Sequence, residues 1–263
     1  VPIPVREQIS TIDPSYCIEV TDDGSRTLLR DGNRFHSGCG AIAECDWVYL
    51  RGVGMNDETY EDWPRSILEV GFGTGMAMLR TIDRALSAGQ PIEYVALENS
   101  PISAQILEEL KLDRDLQRPE LVPWFLERWD HCLRSTTLTP ELSLAWDAQT
   151  KVSVIFTDAV AWLTNQKPGS ERKFDAVYFD PFDPVINPEL WQTEVLQGLW
   201  RRINLGGRLV TYCVQGEVRR SLQRAGFETH RVPGPPFGKR QVLIATKLAA
   251  EDPVPSDDQN SSG

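Results

Sequence analysis

The densest chemical signal in the chain is Glu69-Val70-Gly71-Phe72-Gly73-Thr74-Gly75. It lies between an apolar, β-type run, SILEVG (66–71), and a helical pattern that starts at Met76. Glycines at such a junction let the backbone turn tightly and approach a ligand with no Cβ in the way. The spacing is G-x-G-x-G. A nicotinamide fingerprint needs G-x-G-x-x-G, so a dehydrogenase would lack its third glycine here. Three further carboxylates close β-type runs. Glu98 ends IEYVALE (92–98), where it can accept hydrogen bonds from both hydroxyls of a ribose. Asp158, followed by Ala159, ends VSVIFTD (152–158), and reads evenly as a ligand contact and as a helix N-cap. Asp180 ends FDAVYFD (174–180), inside Tyr178-Phe179-Asp180-Pro181-Phe182-Asp183-Pro184. A carboxylate there can take a proton from an amine, orient it, and favour cationic charge at a reacting centre. Phe182 can pack on a substrate ring. The ligand-free alternatives are a bare strand-to-helix turn at the glycines and an Asp-Pro turn in which Asp180 only caps amides.

These groups need a frame that brings strand ends together. The four runs above are largely apolar and β-branched or aromatic, which suits strands buried on both faces of a parallel sheet. GRLVTYC (207–213), FETHRV and RQVLIAT supply three more. Helical patterns lie between them: Met76 to Ala88, Glu189 to Ile203, and Glu217 to Ala225. Ser100-Pro101 predicts an N-cap with proline at the first helical position, opening a helix to about Leu112. The alternation predicts an α/β, Rossmann-like fold with a mostly parallel seven-stranded sheet. The last two strands, joined by a Pro/Gly-rich link, are expected as an antiparallel hairpin at its edge. Segment 112–150, with Trp124, Trp129 and Trp146, is expected to form capping helices. YCIEV (16–20) and RTLLR (26–30) flank a D-D-G turn and predict an N-terminal hairpin. The expected organisation is an N-terminal extension over 1–63, a catalytic domain over 64–249, and a disordered acidic tail over 250–263.

Composition excludes several classes. Lys and Arg number 27 against 38 Asp and Glu, a net charge of −11, so the surface as a whole cannot bind nucleic acid indiscriminately. A local basic patch is compatible with that total. The five cysteines have no C-x-x-C spacing, and no long apolar run or leader pattern is present, which predicts a cytoplasmic protein with reduced thiols. His36, Cys39 and Cys45 are too few for a zinc site, so no metal is expected.

An acid ahead of the glycines resembles motif I of S-adenosylmethionine-dependent methyltransferases. A wider set of motifs falls in one order: the glycine loop, Phe179 to Pro184 with Asn187-Pro188-Glu189-Leu190-Trp191, Gly207 to Tyr212, Val218-Arg219-Arg220, Ala225-Gly226-Phe227 and Gly238-Lys239-Arg240. Together they resemble the methyltransferase-domain family of MnmC, a bacterial enzyme of wobble-uridine modification in tRNA. Thr21 to Leu28 and His36-Ser37-Gly38-x-Gly40-Ala41-x-x-Glu44 look like its stand-alone form, MnmD. The resemblance covers about residues 16–246.

This resemblance implies a class I methyltransferase fold and transfer of methyl from S-adenosylmethionine to the 5-aminomethyl group of uridine 34, in the anticodon stem-loop of tRNA. It implies that Glu69, Gly71, Phe72, Gly73 and Gly75 line the cofactor, that Glu98 holds its ribose, and that Asp158 and Ala159 hold its adenine. Asp180 would hold the substrate amine. His36 and Ser37 would border cofactor or substrate, and Lys239 and Arg240 would contact tRNA. The family pattern after the catalytic Asp is closer to Asp-Gly/Ala-Phe-x-Pro, so Pro181 and Asp183 depart from it. The flavin oxidoreductase half of MnmC is not expected here, so another enzyme would supply the aminomethyl-uridine. Two other classes stay open: a methyltransferase of this fold acting on another amine or a small molecule, and a non-catalytic interaction protein. Glu44 reads evenly as a site residue or an element end. Arg219 and Arg220 read evenly as RNA contacts or solvated charge.

Overall fold

The computed structural model describes residues 5–56, 59–135, 140–165, 172–236, 238 and 240–248. The expected tail over 250–263 and Lys239 lie outside the described residues. The chain opens with β1 (Gln8–Ser10), β2 (Tyr16–Val20), β3 (Arg26–Arg30) and β4 (Asn33–Arg34), paired in that order as an antiparallel sheet. Tyr16 faces Arg30 across the expected hairpin. Its turn is tied down by Asp23, whose carboxylate accepts the Ser25 amide at 2.9 Å and the Ala43 amide at 3.0 Å. A short helix α1 (Ala41–Glu44) runs straight into a π-helical turn, Cys45–Leu50.

The second sheet contains β5 (Ser66–Val70), β6 (Ile92–Glu98), β7 (Glu141–Ala145), β8 (Thr150–Phe156), β9 (Phe174–Phe179), β10 (Ile203–Thr211), β11 (Glu228–Pro233) and β12 (Gln241–Thr246). Its order is β11-β12-β10-β9-β5-β6-β8-β7. The run from β10 to β8 is parallel, and the edges are antiparallel. The expected hairpin is present, with Glu228 opposite Thr246. From β5 the chain moves to β6 and β8 on one side, and then to β9 and β10 on the other. The strand order therefore reverses beside β5, where doubly wound sheets open a crevice.

Alternation along each strand sends side chains to two buried faces. Ile67, Tyr94, Ala176, Tyr178 and Val210 face α2 (Met76–Ser87) and α4 (Leu121–Arg134) with the π-helical turn. Leu68, Val95, Val177, Phe179 and Leu209 face α5 (Ala159–Thr164), α6 (Thr193–Arg202) and α7 (Gly216–Arg224). A helix α3 (Ala104–Glu109) lies between β6 and α4 in sequence.

The structure departs from the sequence expectations in three places. An eighth strand, β7, joins the seven expected, because Leu142 and Leu144 alternate with polar residues and pair with Val154 and Val152. Helix α3 starts at Ala104 after Ser103, not at Ser100-Pro101. The Ser100 amide instead donates to Glu98 Oε1 at 2.7 Å, which holds that segment out of the helix. The helix expected over Glu189 to Ile203 is broken at Gln192, which is extended. A 3-10 turn, Pro188–Trp191, precedes the break and Ile203 belongs to β10. The Trp191 indole donates to the Phe182 carbonyl at 3.0 Å, so this turn is anchored to the loop after β9 rather than continued into α6.

Candidate active site

The carboxyl ends of β5, β6, β8 and β9 open onto a cavity of about 520 Å³, the size of a small-molecule site. Its opposite wall comes from the N-terminal sheet and the loop after it, including Arg30, Phe35, His36 and Ser37. Glu69, Gly71, Phe72, Gly73, Glu98, Asp158, Ala159, Asp180 and Phe182 all line it. Residues far apart in sequence thus meet because four strand ends meet. Gly75 does not line the cavity: at φ 73° it starts α2, and its side-chain position is filled by the Phe72 ring. Arg240 does not line it either.

Each carboxylate has a distinct setting. Glu98 reaches back over the glycine loop, with Oε2 accepting the Gly73 amide at 3.0 Å. Asp158 caps α5 by accepting the Ala161 amide at 2.7 Å, and it also lines the cavity. Glu69 is buried, and its Oε2 has no hydrogen-bond partner. Burial first, then the nearby Asp180 charge, holds its carboxyl far above the ordinary carboxylate range. Asp180 is partly exposed at the end of β9, and the buried Tyr49 hydroxyl donates a hydrogen bond to it. Burial, then the Asp180 charge, pushes the Tyr49 phenol well up, so it stays a donor.

The motif residues that depart from the family pattern have structural partners. The Tyr212 hydroxyl donates to the Pro181 carbonyl at 2.9 Å. Asp183 accepts the Val185 amide at 3.0 Å and the Gln215 side-chain amide at 2.9 Å. Phe182 meets Phe35 edge-on, with ring centroids 5.2 Å apart, so the loop after β9 touches the N-terminal wall. Ser37 and Glu44 are also tied: the Ser37 amide donates to Glu44 Oε2 at 2.6 Å, and both line the cavity. His36 Nδ1 lies 3.3 Å from Thr27 Oγ1, and burial lowers its pKa to about 4, so the ring is neutral at pH 7.

Tyr49 and Tyr212 are site residues that sequence reasoning did not single out. Each sits in an apolar run, so each reads as core until the fold brings its hydroxyl to the loop after β9. Among the described residues, no group of three or more His, Cys, Asp or Glu side chains could hold a metal. None of the described helices is long and apolar enough to cross a membrane.

A family described as S-adenosyl-L-methionine-dependent methyltransferase matches residues 121–248. The bifunctional protein MnmC of Aromatoleum aromaticum, named for tRNA 5-methylaminomethyl-2-thiouridine biosynthesis, is 33% identical over 88% of this chain and 35% of its own length. Its namesake in Paracidovorax citrulli is 35% identical over 90% of this chain and 36% of its own. The crystal structure of MnmC2 from Aquifex aeolicus aligns over 90% of this chain and 71% of its own, with a TM-score of 0.67 and 26% identity. The chain is thus similar over about nine-tenths of its length to part of these MnmC proteins. Its fold is that of the class I methyltransferases, and the family that matches residues 121–248 uses S-adenosyl-L-methionine. The chain spans about a third of the length of the curated MnmC relatives it matches. Spermidine synthase of Thermotoga maritima, 10% identical with a TM-score of 0.50 over 94% of this chain and 73% of its own, shares the fold alone.

The cavity fits S-adenosylmethionine. The cofactor carries a sulfonium and an ammonium, and the cavity lining is rich in carboxyls, including the orphaned Glu69 oxygen. The glycine loop leaves backbone at the cavity surface where side chains would otherwise stand.

Proposed function

We propose that this chain methylates the 5-aminomethyl group of uridine 34 in the anticodon stem-loop of tRNA, yielding 5-methylaminomethyl-uridine or its 2-thio form. The observation that carries this reading is Asp180: a tyrosine-held carboxylate on the cavity rim, one strand from the glycine loop, in a chain similar to part of MnmC. In this reading Glu98 holds the cofactor ribose, Asp158 and Ala159 flank the adenine, and Glu69, Gly71, Phe72 and Gly73 border the methionine part. Phe182, His36 and Ser37 border the uracil ring. A tRNA substrate also implies a cytoplasmic location.

When bound, S-adenosylmethionine supplies an electrophilic methyl carbon and leaves as S-adenosylhomocysteine, its sulfur keeping the electrons of the broken S–C bond. Asp180 draws a proton from the substrate ammonium, so that a nitrogen lone pair faces the methyl carbon. The nitrogen forms the new N–C bond, and the carboxylate stabilises the positive charge that develops on it. Tyr49 fixes the carboxylate during this exchange. Phe35 and Phe182 narrow the space beside the nitrogen, which favours one approach line for an in-line displacement.

Purified protein given labelled S-adenosylmethionine and tRNA bearing aminomethyl-uridine should transfer label to the wobble nucleoside. Cofactor binding with no transfer to tRNA, but transfer to a small amine, would favour the other methyltransferase reading. Absence of cofactor binding would leave only a non-catalytic role.

A further inference from the structure

A tRNA substrate is a polyanion, yet the chain carries a net charge of −11. A surface that receives phosphates must therefore gather cations that no carboxylate neutralises. Many arginines are already paired: Arg6 with Asp22, Arg34 with Glu19, Arg80 with Asp46, and Arg220 and Arg224 with Glu217. Among the described residues, Arg51, Arg219, Arg231 and Arg240 have no carboxylate at ion-pair distance, and all four are exposed.

Contacts bring Arg51, Arg231 and Arg240 to one corner of the sheet, and Arg219 follows on the helix that starts there. The Trp47 indole donates to the Pro233 carbonyl at the end of β11, at 2.8 Å. The Arg51 guanidinium lies 4.3 Å from the Trp47 ring centroid, a stacked cation and aromatic pair. The Gly234 amide donates to the Arg240 carbonyl at 3.0 Å, which closes the loop beside that pair. Arg231, two residues before Pro233, donates to the Val214 carbonyl at 2.8 Å. Arg219 lies in the first turn of α7, which begins just after Val214.

This corner adjoins the cavity. Strands β10 and β11 run in the same direction, so Pro233 lies at the sheet edge where β10 delivers Tyr212 to the cavity. Glu44, on the cavity wall, is three residues before Trp47. Asp180 ends β9 and Pro233 ends β11, three strand spacings away, or about 14 Å. That separation suits nucleotides flanking a base held at Asp180. We propose that Trp47, Arg51, Arg219, Arg231 and Arg240 form the docking surface for the RNA backbone next to the reacting uridine. The proposal rests on the tRNA reading above. Guanidinium groups beside an aromatic face match single-stranded loop backbone with its unstacked bases.

The test uses the full chain and a double variant, Arg51→Gln with Arg231→Gln, which keeps an amide donor for the Val214 carbonyl. The expected result is at least a tenfold rise in KM for tRNA, with kcat and S-adenosylmethionine affinity within twofold of the starting protein. The slope of log(1/KM) against log salt should fall by about 1.4, since each lost single-strand phosphate contact removes about 0.7. The matching Arg51→Lys, Arg231→Lys protein should recover the slope. An unchanged KM and slope, in a variant that still binds cofactor, would overturn the docking surface while leaving the tRNA reading intact. A starting protein that binds cofactor but methylates no tRNA would sink both. If the double variant no longer binds cofactor, Arg51→Gln alone, at an exposed position, decides by the same two readouts. Competition by polyglutamate but not by unmodified tRNA would reassign the surface to an acidic protein and overturn the proposal.

Discussion

The backbone carbonyl of Asp180 occupies the space that a Gly71 side chain would need: a Cβ on Gly71 would approach it to 2.8 Å. Gly71 has φ 92°, a region that L side chains rarely adopt. The glycine loop and the proposed catalytic carboxylate are thus packed backbone to backbone across β5 and β9. Gly71→Ala is expected to lower stability by about 1–3 kcal/mol, from strain and forced displacement. It should also lower kcat, because the Asp180 backbone must move. Thermal unfolding and single-turnover methyl transfer check both parts; an alanine variant with unaltered kcat would show that the close approach does not position Asp180.

Asp180→Ala should cut kcat by about 10²- to 10⁴-fold, the range of a lost acid–base group. Cofactor affinity should stay within about tenfold, or 1.4 kcal/mol. Tyr49→Phe, which removes only the hydroxyl that donates to Asp180, should give a smaller kcat loss. It should also move the acid limb of the kcat profile to higher pH, because the ionised carboxylate loses a donor. Calorimetry with S-adenosylmethionine and a pH series of kcat separate these outcomes. A large affinity loss in Asp180→Ala would mark the residue as a cofactor ligand instead.

Glu69 holds its proton far above the usual carboxylate range because it is buried near Asp180 and Glu98. A cationic cofactor placed beside it favours the ionised form. Binding of S-adenosylmethionine near neutral pH should therefore release protons, read by calorimetry in buffers of different ionisation enthalpy. Glu69→Gln should bind about tenfold more weakly, or 1.4 kcal/mol, and release none. Proton release that persists in the glutamine variant would assign the effect to another group.

His36 has a folded pKa near 4 against an ordinary value of 6.5, so between those pH values the unfolded chain binds the extra proton. Stability from this group is present above pH 6.5 and is lost as pH falls toward 4. Denaturant titrations from pH 7 to 4 should show that decline, with a shallower slope in His36→Gln. Equal slopes in the two proteins would place the pH dependence elsewhere.

The elements that hold the site differ in how readable they were. Apolar β-type runs ending in Glu98, Asp158 and Asp180 announce themselves, because strands buried on both faces need uninterrupted apolar residues and a polar end breaks the pattern. Strand β7 did not, since its five residues alternate and sit among tryptophans that suggest helices. The Ser100-Pro101 start was misleading because Glu98, two residues earlier, captures the Ser100 amide. Local propensity cannot weigh a competitor whose orientation depends on the glycine loop that it also bonds.

What the sequence determined alone was the order of α/β elements, the glycine turn after the first buried strand, and the chemical types of the groups at the strand ends. These are local properties of spacing and polarity. Only the tertiary structure decided that Tyr49 steadies Asp180, that Phe35 reaches Phe182, and that Trp47 meets Pro233. Such contacts join residues with no shared local pattern. They exist because packing two sheets and their helices leaves each of these side chains one place to go.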